Sequence, residues 1–130
     1  METEALKICQ REGLVSYMNK TKWTELLERV NQIPCDKRVK YIDSEILSNW
    51  KPGGWMPVPG YVEFSGGPTK MVYIEWMEVK KKASGFGAYT ATKLIDKSQD
   101  LRTIFESLNI EFEELDEHYR VYGHRRASEA

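Results

Sequence analysis

The sequence predicts an α+β domain: a mainly antiparallel sheet with helices packed on one face, in the order ααβββαββ. Three observations carry this reading. Two segments with helical apolar spacing lead the chain, period-two segments cluster after residue 37, and one capped helical segment interrupts them before a closing hairpin.

Between residues 4 and 18 the apolar residues Ala5, Leu6, Ile8, Cys9, Val15, Tyr17 and Met18 are loosely helical, with Gly13 weakening the middle. After Asn19 or Thr21, either of which can cap a helix, Trp23, Leu26, Leu27, Val30 and Ile33 follow the i, i+3, i+4, i+7 rule. Pro34 ends that helix, because proline lacks the amide hydrogen and restricts the residue before it. Residues 38–42 alternate charged and apolar side chains as a half-buried strand does, with Val39 and Tyr41 on one side. Residues 51–60 hold three prolines and three glycines around Trp55 and Met56, which describes an ordered loop and no regular element.

Residues 61–64 and 70–79, joined by the turn Ser65-Gly66-Gly67-Pro68, read as a hairpin with a long second arm. Strict alternation in that arm sets Met71, Tyr73, Glu75, Met77 and Val79 against Val72, Ile74, Trp76 and Glu78, so the strand is central and covered on both sides. Residues 80–92 form a basic, glycine-broken connection. Ser98 caps a helix that turns Leu101, Ile104, Phe105 and Leu108 inward, and Asn109 stops it. Ile110 and Phe112, then Tyr119 and Val121, flank an acidic turn and predict a final hairpin. Trp23, Leu26, Leu27, Val30, Ile74, Trp76, Ile104, Phe105 and Leu108 are the predicted core.

At 130 residues the chain has the size of one domain, residues 1–130, with ends frayed at about 1–4 and 126–130. Nineteen basic against twenty acidic residues leave a formal charge of -1, so no global field draws it to nucleic acid or an anionic membrane. No apolar run approaches the roughly 20 residues that span a bilayer, and the first ten residues lack the basic and apolar regions of a signal peptide. A cytoplasmic protein with no membrane partner is expected. Cys9 and Cys35 stand alone, without a metal-binding spacing, and read as reduced, partly buried thiols.

Three groups of residues occur in order that carry a family resemblance: Lys22-Trp23-x-x-Leu26; Ile74-Glu75-Trp76-Met77-Glu78-Val79; and Leu108-Asn109-Ile110-x-Phe112-Glu113 followed by Tyr119-Arg120-Val121-Tyr122-Gly123-His124-Arg125. Over residues 17–125 the chain resembles a family of small bacterial proteins defined only as a domain of unknown function. The resemblance implies a bacterial, cytoplasmic, single-domain protein and supplies no activity. His124 stands where that family more often has tyrosine, so it inherits no role.

No catalytic constellation, metal-ligand spacing or cofactor motif emerges, and His118 and His124 lack the helical i, i+4 pairing of a metal site. The expectation is no cofactor and no metal. Glu75 conflicts with its apolar strand face and is the candidate buried carboxylate, held either by Arg38, Lys40 or Arg120 or by a ligand in an enzyme site. Lys80, Lys81, Lys82, Phe86 and Tyr89 combine cations, glycines and aromatics, the materials of a nucleic-acid or nucleotide contact, with Arg120, His124, Arg125 and Arg126 as helpers. Glu111, Glu113, Glu114, Asp116 and Glu117 concentrate five carboxylates on one hairpin, and Trp50 and Trp55 offer aromatic anchors. Together these favour a protein-binding module of inhibitor or immunity type whose partner is another protein, ahead of nucleic-acid binding and of catalysis through Glu75.

Overall fold

The computed structural model of the chain describes residues 3–51, 56–64, 67–84 and 94–126. These contain three helices, α1 (Thr3–Glu12), α2 (Lys20–Val30) and α3 (Ser98–Ser107). Ten strands accompany them: β1 (Leu14–Ser16), β2 (Lys37–Tyr41), β3 (Tyr61–Val62), β4 (Thr69–Lys70), β5 (Ile74–Lys80), β6 (Lys82–Ser84), β7 (Leu94–Asp96), β8 (Phe112–Glu114), β9 (His118–Tyr122) and β10 (His124–Arg126). All pairings are antiparallel, and the main sheet runs β2-β5-β9-β8, so the fold is α+β with β5 central.

The leading helix is shorter than its apolar pattern predicts. Gly13 adopts φ +67, a left-handed conformation that a β-carbon disfavours, and the chain leaves α1 there for β1. β1 pairs with β10, joining Leu14 to Arg126, so pairing reaches the edge of the C-terminal end expected to fray. α2 begins where Asn19 accepts a hydrogen bond from the Lys22 amide at 2.8 Å, a side-chain N-cap. α3 ends before Asn109, which takes φ 54, a conformation that asparagine tolerates better than most residues.

One face of the main sheet packs on α2 and α3. Val39, Met77, Val79, Tyr119 and Val121 meet Trp23, Leu26, Leu27, Val30, Leu101 and Phe105 in one core, with Ile104 and Leu108 packed at its margin. A smaller cluster of Ala5, Ile8, Cys9 and Ile42 holds α1. Trp76 departs from the predicted core: it lies on the opposite face, 9% exposed, beneath the Arg120 guanidinium, 4.4 Å from the ring centroid.

The reason is a break of phase. A 3₁₀ turn at Met71–Tyr73 separates β4 from β5, and the register slips so that Lys40 opposes Trp76 while Tyr41 opposes Ile74. Glu75 is the extra residue of a bulge, which lets Ile74 and Met77 both reach the core. The long, strictly alternating arm expected from sequence is therefore two strands, of which the first pairs only with β3.

Candidate functional site on the open sheet face

The face of the main sheet turned away from α2 and α3 is built by period-two alternation. It carries Arg38 and Lys40 from β2, Trp76, Glu78 and Lys80 from β5, His118, Arg120 and Tyr122 from β9, and Glu113 from β8. Register aligns Arg38, Glu78, Arg120 and Glu113 directly opposite one another, a row of alternating charge across all four strands.

Glu78 is the centre of that row and is fully buried. Its Oε1 accepts from Arg38 Nε at 2.7 Å; its Oε2 accepts from Arg120 Nε and Nη2 at 3.1 and 3.0 Å and lies 2.7 Å from His118 Nε2. Burial by itself raises a carboxyl pKa. Here the hydrogen bonds from the two arginines, with the nearby charge of His118, overcome burial and hold Glu78 below its usual value. An apolar-looking strand position thus keeps an ionised carboxylate, which fixes two guanidinium groups and one imidazole in place.

The guanidinium groups lie on aromatic rings. Arg38 sits 4.4 Å from the Trp50 centroid, and Arg125 sits 4.5 Å from that of Tyr122. Lys80 Nζ approaches the same Trp50 ring at 4.8 Å, and the His118 ring meets it edge-on at 5.7 Å between centroids. Trp50, a predicted anchor, therefore belongs to this cationic layer.

Glu75 takes a smaller role than its sequence position predicts. The bulge turns it out of the Met77 and Val79 face; its side chain is 24% exposed and bonds Lys40 Nζ at 2.8 Å, so the buried carboxylate is Glu78. The pair is part-buried, but among the described residues Glu75 has this one cation where Glu78 has three partners. Glu75→Gln is expected to cost on the order of 1 kcal/mol, between an exposed pair and a fully buried one, measured by denaturant titration.

The remaining sequence candidates are dispersed. Lys81 bonds Glu114 at 2.8 Å, while Lys80 and Lys82 line one cavity beside the open face, so Lys81 is separated from the other two. Phe86, Tyr89 and Trp55 lie outside the described residues. Within the acidic hairpin Glu114 is held by Lys81 and by Arg102 at 2.6 Å, and Glu113 lies 3.9 Å from Arg125; Glu111, Asp116 and Glu117 are exposed. The hairpin's charge is thus partly answered within the chain. His124 is buried, donating from Nε2 to the Val72 carbonyl at 2.7 Å while Nδ1 faces the Cys9 thiol at 3.5 Å. Desolvation lowers its pKa, against the raising effects of the Val72 bond and the Glu75 charge, and it offers nothing to an external nucleic acid. Arg126 is exposed at the end of β10.

Sequence reasoning overlooked Glu78, Arg38 and Arg120 as one unit. A usable signal was present: Arg38-x-Lys40 and His118-x-Arg120 both alternate cations into strands flanking the carboxylate strand, which cross-strand pairing brings face to face.

A second charged group is buried on the helix side. Lys37 is fully buried and donates to the Cys35 carbonyl at 3.2 Å; burial pulls its pKa down to about 8, while burial pushes the neighbouring Cys35 thiol up to about 11. Their linkages oppose. Lys37 is depressed, so above about pH 8 the unfolded chain binds more protons and stability rises with pH; above the usual thiol value of 9.0 the raised Cys35 cancels that rise. In Cys35→Ala the rise is expected to continue past pH 9, measured as unfolding free energy against pH.

Among the described residues no helix is long and apolar enough to cross a membrane. Both cysteines are free and buried. No curated protein and no solved structure matches the chain. A family model does match, over residues 5–128, which include every strand of the open face; the chain belongs to the family of unknown function DUF6678.

Proposed function

We propose that the chain is a protein-binding module whose working surface is the open sheet face, and that its partner presents acidic side chains there. The observation that carries this reading is the cationic layer anchored on Glu78: Arg38 and Arg120 are fixed by a buried carboxylate and, with Arg125, lie over Trp50, Trp76 and Tyr122. Arginine and large aromatics are the side chains that dominate binding energy at protein interfaces, and prior fixation lowers the entropy lost on association. Five cations (Arg38, Lys40, Lys80, Arg120 and Arg125) face three carboxylates (Glu75, Glu78 and Glu113), so the face carries excess positive charge on a chain of net -1. Complementary charge favours an acidic counter-surface. We place the module in the bacterial cytoplasm, a reading supported by two buried free thiols, which suit a reducing compartment.

The test is affinity capture from extracts of the source cells, with and without nuclease, using the native chain and the double variant Lys40→Glu, Arg125→Glu. Neither residue touches Glu78. Capture of a protein that survives nuclease and falls at least tenfold in the double variant is expected. A captured set unchanged by the double variant would refute the face as the binding surface, and capture lost entirely to nuclease would replace the protein partner with nucleic acid.

A further inference from the structure

Beside the cationic layer, where β5 and β9 meet β6, lies a cavity of about 400 Å³, a volume typical of small-molecule pockets. Its walls mix unlike groups. Trp50 and Leu94 supply apolar surface; Lys80 and Lys82 supply two ammonium groups; Asp36 and Glu117 supply two carboxylates. Among the described residues none of these four charged side chains makes a close ion pair, although oppositely charged members line one small space. His118 completes the wall, its Nε2 committed to Glu78 and its Nδ1 without a hydrogen-bond partner among the described residues.

We propose that this cavity binds a small zwitterion carrying an oxyanion and an ammonium group. A purely anionic ligand would meet Asp36 and Glu117, and a purely cationic one would meet Lys80 and Lys82, whereas a zwitterion answers both pairs. Lysines bind oxyanions as point charges, Asp36 and Glu117 attract the ammonium group, and Trp50, whose ring already meets Arg38 and Lys80, serves as apolar wall. The imidazole, oriented by a carboxylate that is itself locked by two arginines, offers its Nδ1 at a fixed position. The ring cannot swing away without breaking the 2.7 Å contact to Glu78. The cavity borders the proposed protein-binding face and shares Trp50 and Lys80 with it, but its test uses the isolated chain with no partner present, so either reading can fail without the other.

The experiment is an NMR titration of the full chain with O-phosphoethanolamine, and with ethyl phosphate and ethanolamine as half-ligands at matched ionic strength. Shifts confined to the amides of Asp36, Lys80, Lys82, Glu117 and His118 are expected, with O-phosphoethanolamine binding about two- to fivefold tighter than either half-ligand, the ratio for one additional exposed charge pair. Lys80→Gln should weaken O-phosphoethanolamine and ethyl phosphate alike. Glu117→Gln should weaken O-phosphoethanolamine, tighten ethyl phosphate and so close the gap between them. Both residues are solvent-reachable and outside the core, so the variants fold. Equal affinity for O-phosphoethanolamine and ethyl phosphate, affinities unchanged in Lys80→Gln, or no localised shifts at all would each overturn the proposal.

Discussion

Glu78→Gln is expected to lower the unfolding free energy by about 3 kcal/mol, the lower end of the cost of breaking a buried ion pair, and the melting temperature by roughly 10 °C. The lower end applies because Arg38 and Arg120 retain 26% and 29% side-chain exposure and regain some water when the carboxylate is neutralised. Glutamine keeps the volume and one acceptor oxygen but removes the charge that three groups converge on. The pH dependence separates this cause from a packing defect. Because Glu78 titrates below its usual 4.5, its contribution is complete above that value and is lost as pH falls through the lower folded value. The difference between native chain and variant is therefore expected to be constant at neutral pH and to shrink in acid. A gap that persists unchanged below pH 3 would show that the loss is steric. The same variant also releases His118 and both arginines, so binding at the open face is expected to weaken with it.

The second large effect is expected at Gly123. A β-carbon placed there would lie 2.1 Å from the Ile74 carbonyl oxygen and 3.0 Å from Trp23 Cζ2, the first of which no side-chain rearrangement relieves. The backbone is held on both sides: the Gly123 amide donates to the Glu75 carbonyl at 2.8 Å, and its carbonyl accepts from the Tyr17 amide at 2.9 Å. Gly123→Ala must push β9 away from the bulge of β5 and is expected to cost about 3 kcal/mol, the upper range for overpacking. Differential scanning calorimetry checks it. A melting temperature within a degree of the native chain would mean that the bulge yields freely. Gly123→Ala in company with Trp23→Phe is expected to recover little, since the carbonyl contact remains.

Gly123 also shows what the three groups of residues that carry the resemblance have in common in this chain. Trp23 comes from the first group, Ile74 and Glu75 from the second and Gly123 from the third, and all meet at this one point. From the sequence they are separate motifs. In the fold they are one joint, at which α2, the bulge of β5 and the end of β9 are locked together.

Local rules read the apolar stripes of α2 and α3 and most of their ends, because these act within the segment: Asn19 caps its own helix, and Asn109 turns its own chain. The start of α3 differs: Ser98 is its first helical residue and no cap, and Asp96 Oδ1 accepts from the Ser98 amide at 2.8 Å. The central place of β5 and the hairpin of β8 and β9 were equally legible from period-two alternation between turn residues. Reading failed where a single residue changed phase. Gly13 ended α1 early, and the bulge at Glu75 moved that carboxylate outward while leaving Trp76 and Glu78 on the open face.

By itself, then, the sequence determined the α+β class, the helix faces and most of the core, since these follow from spacing that the chain carries within each element. Which carboxylate is buried, which cations hold it and which aromatics they cover were decided only by tertiary structure. The register of β2, β5 and β9 puts Arg38, Glu78 and Arg120 in one row from positions 38, 78 and 120, and no local pattern specifies a register between strands so distant along the chain.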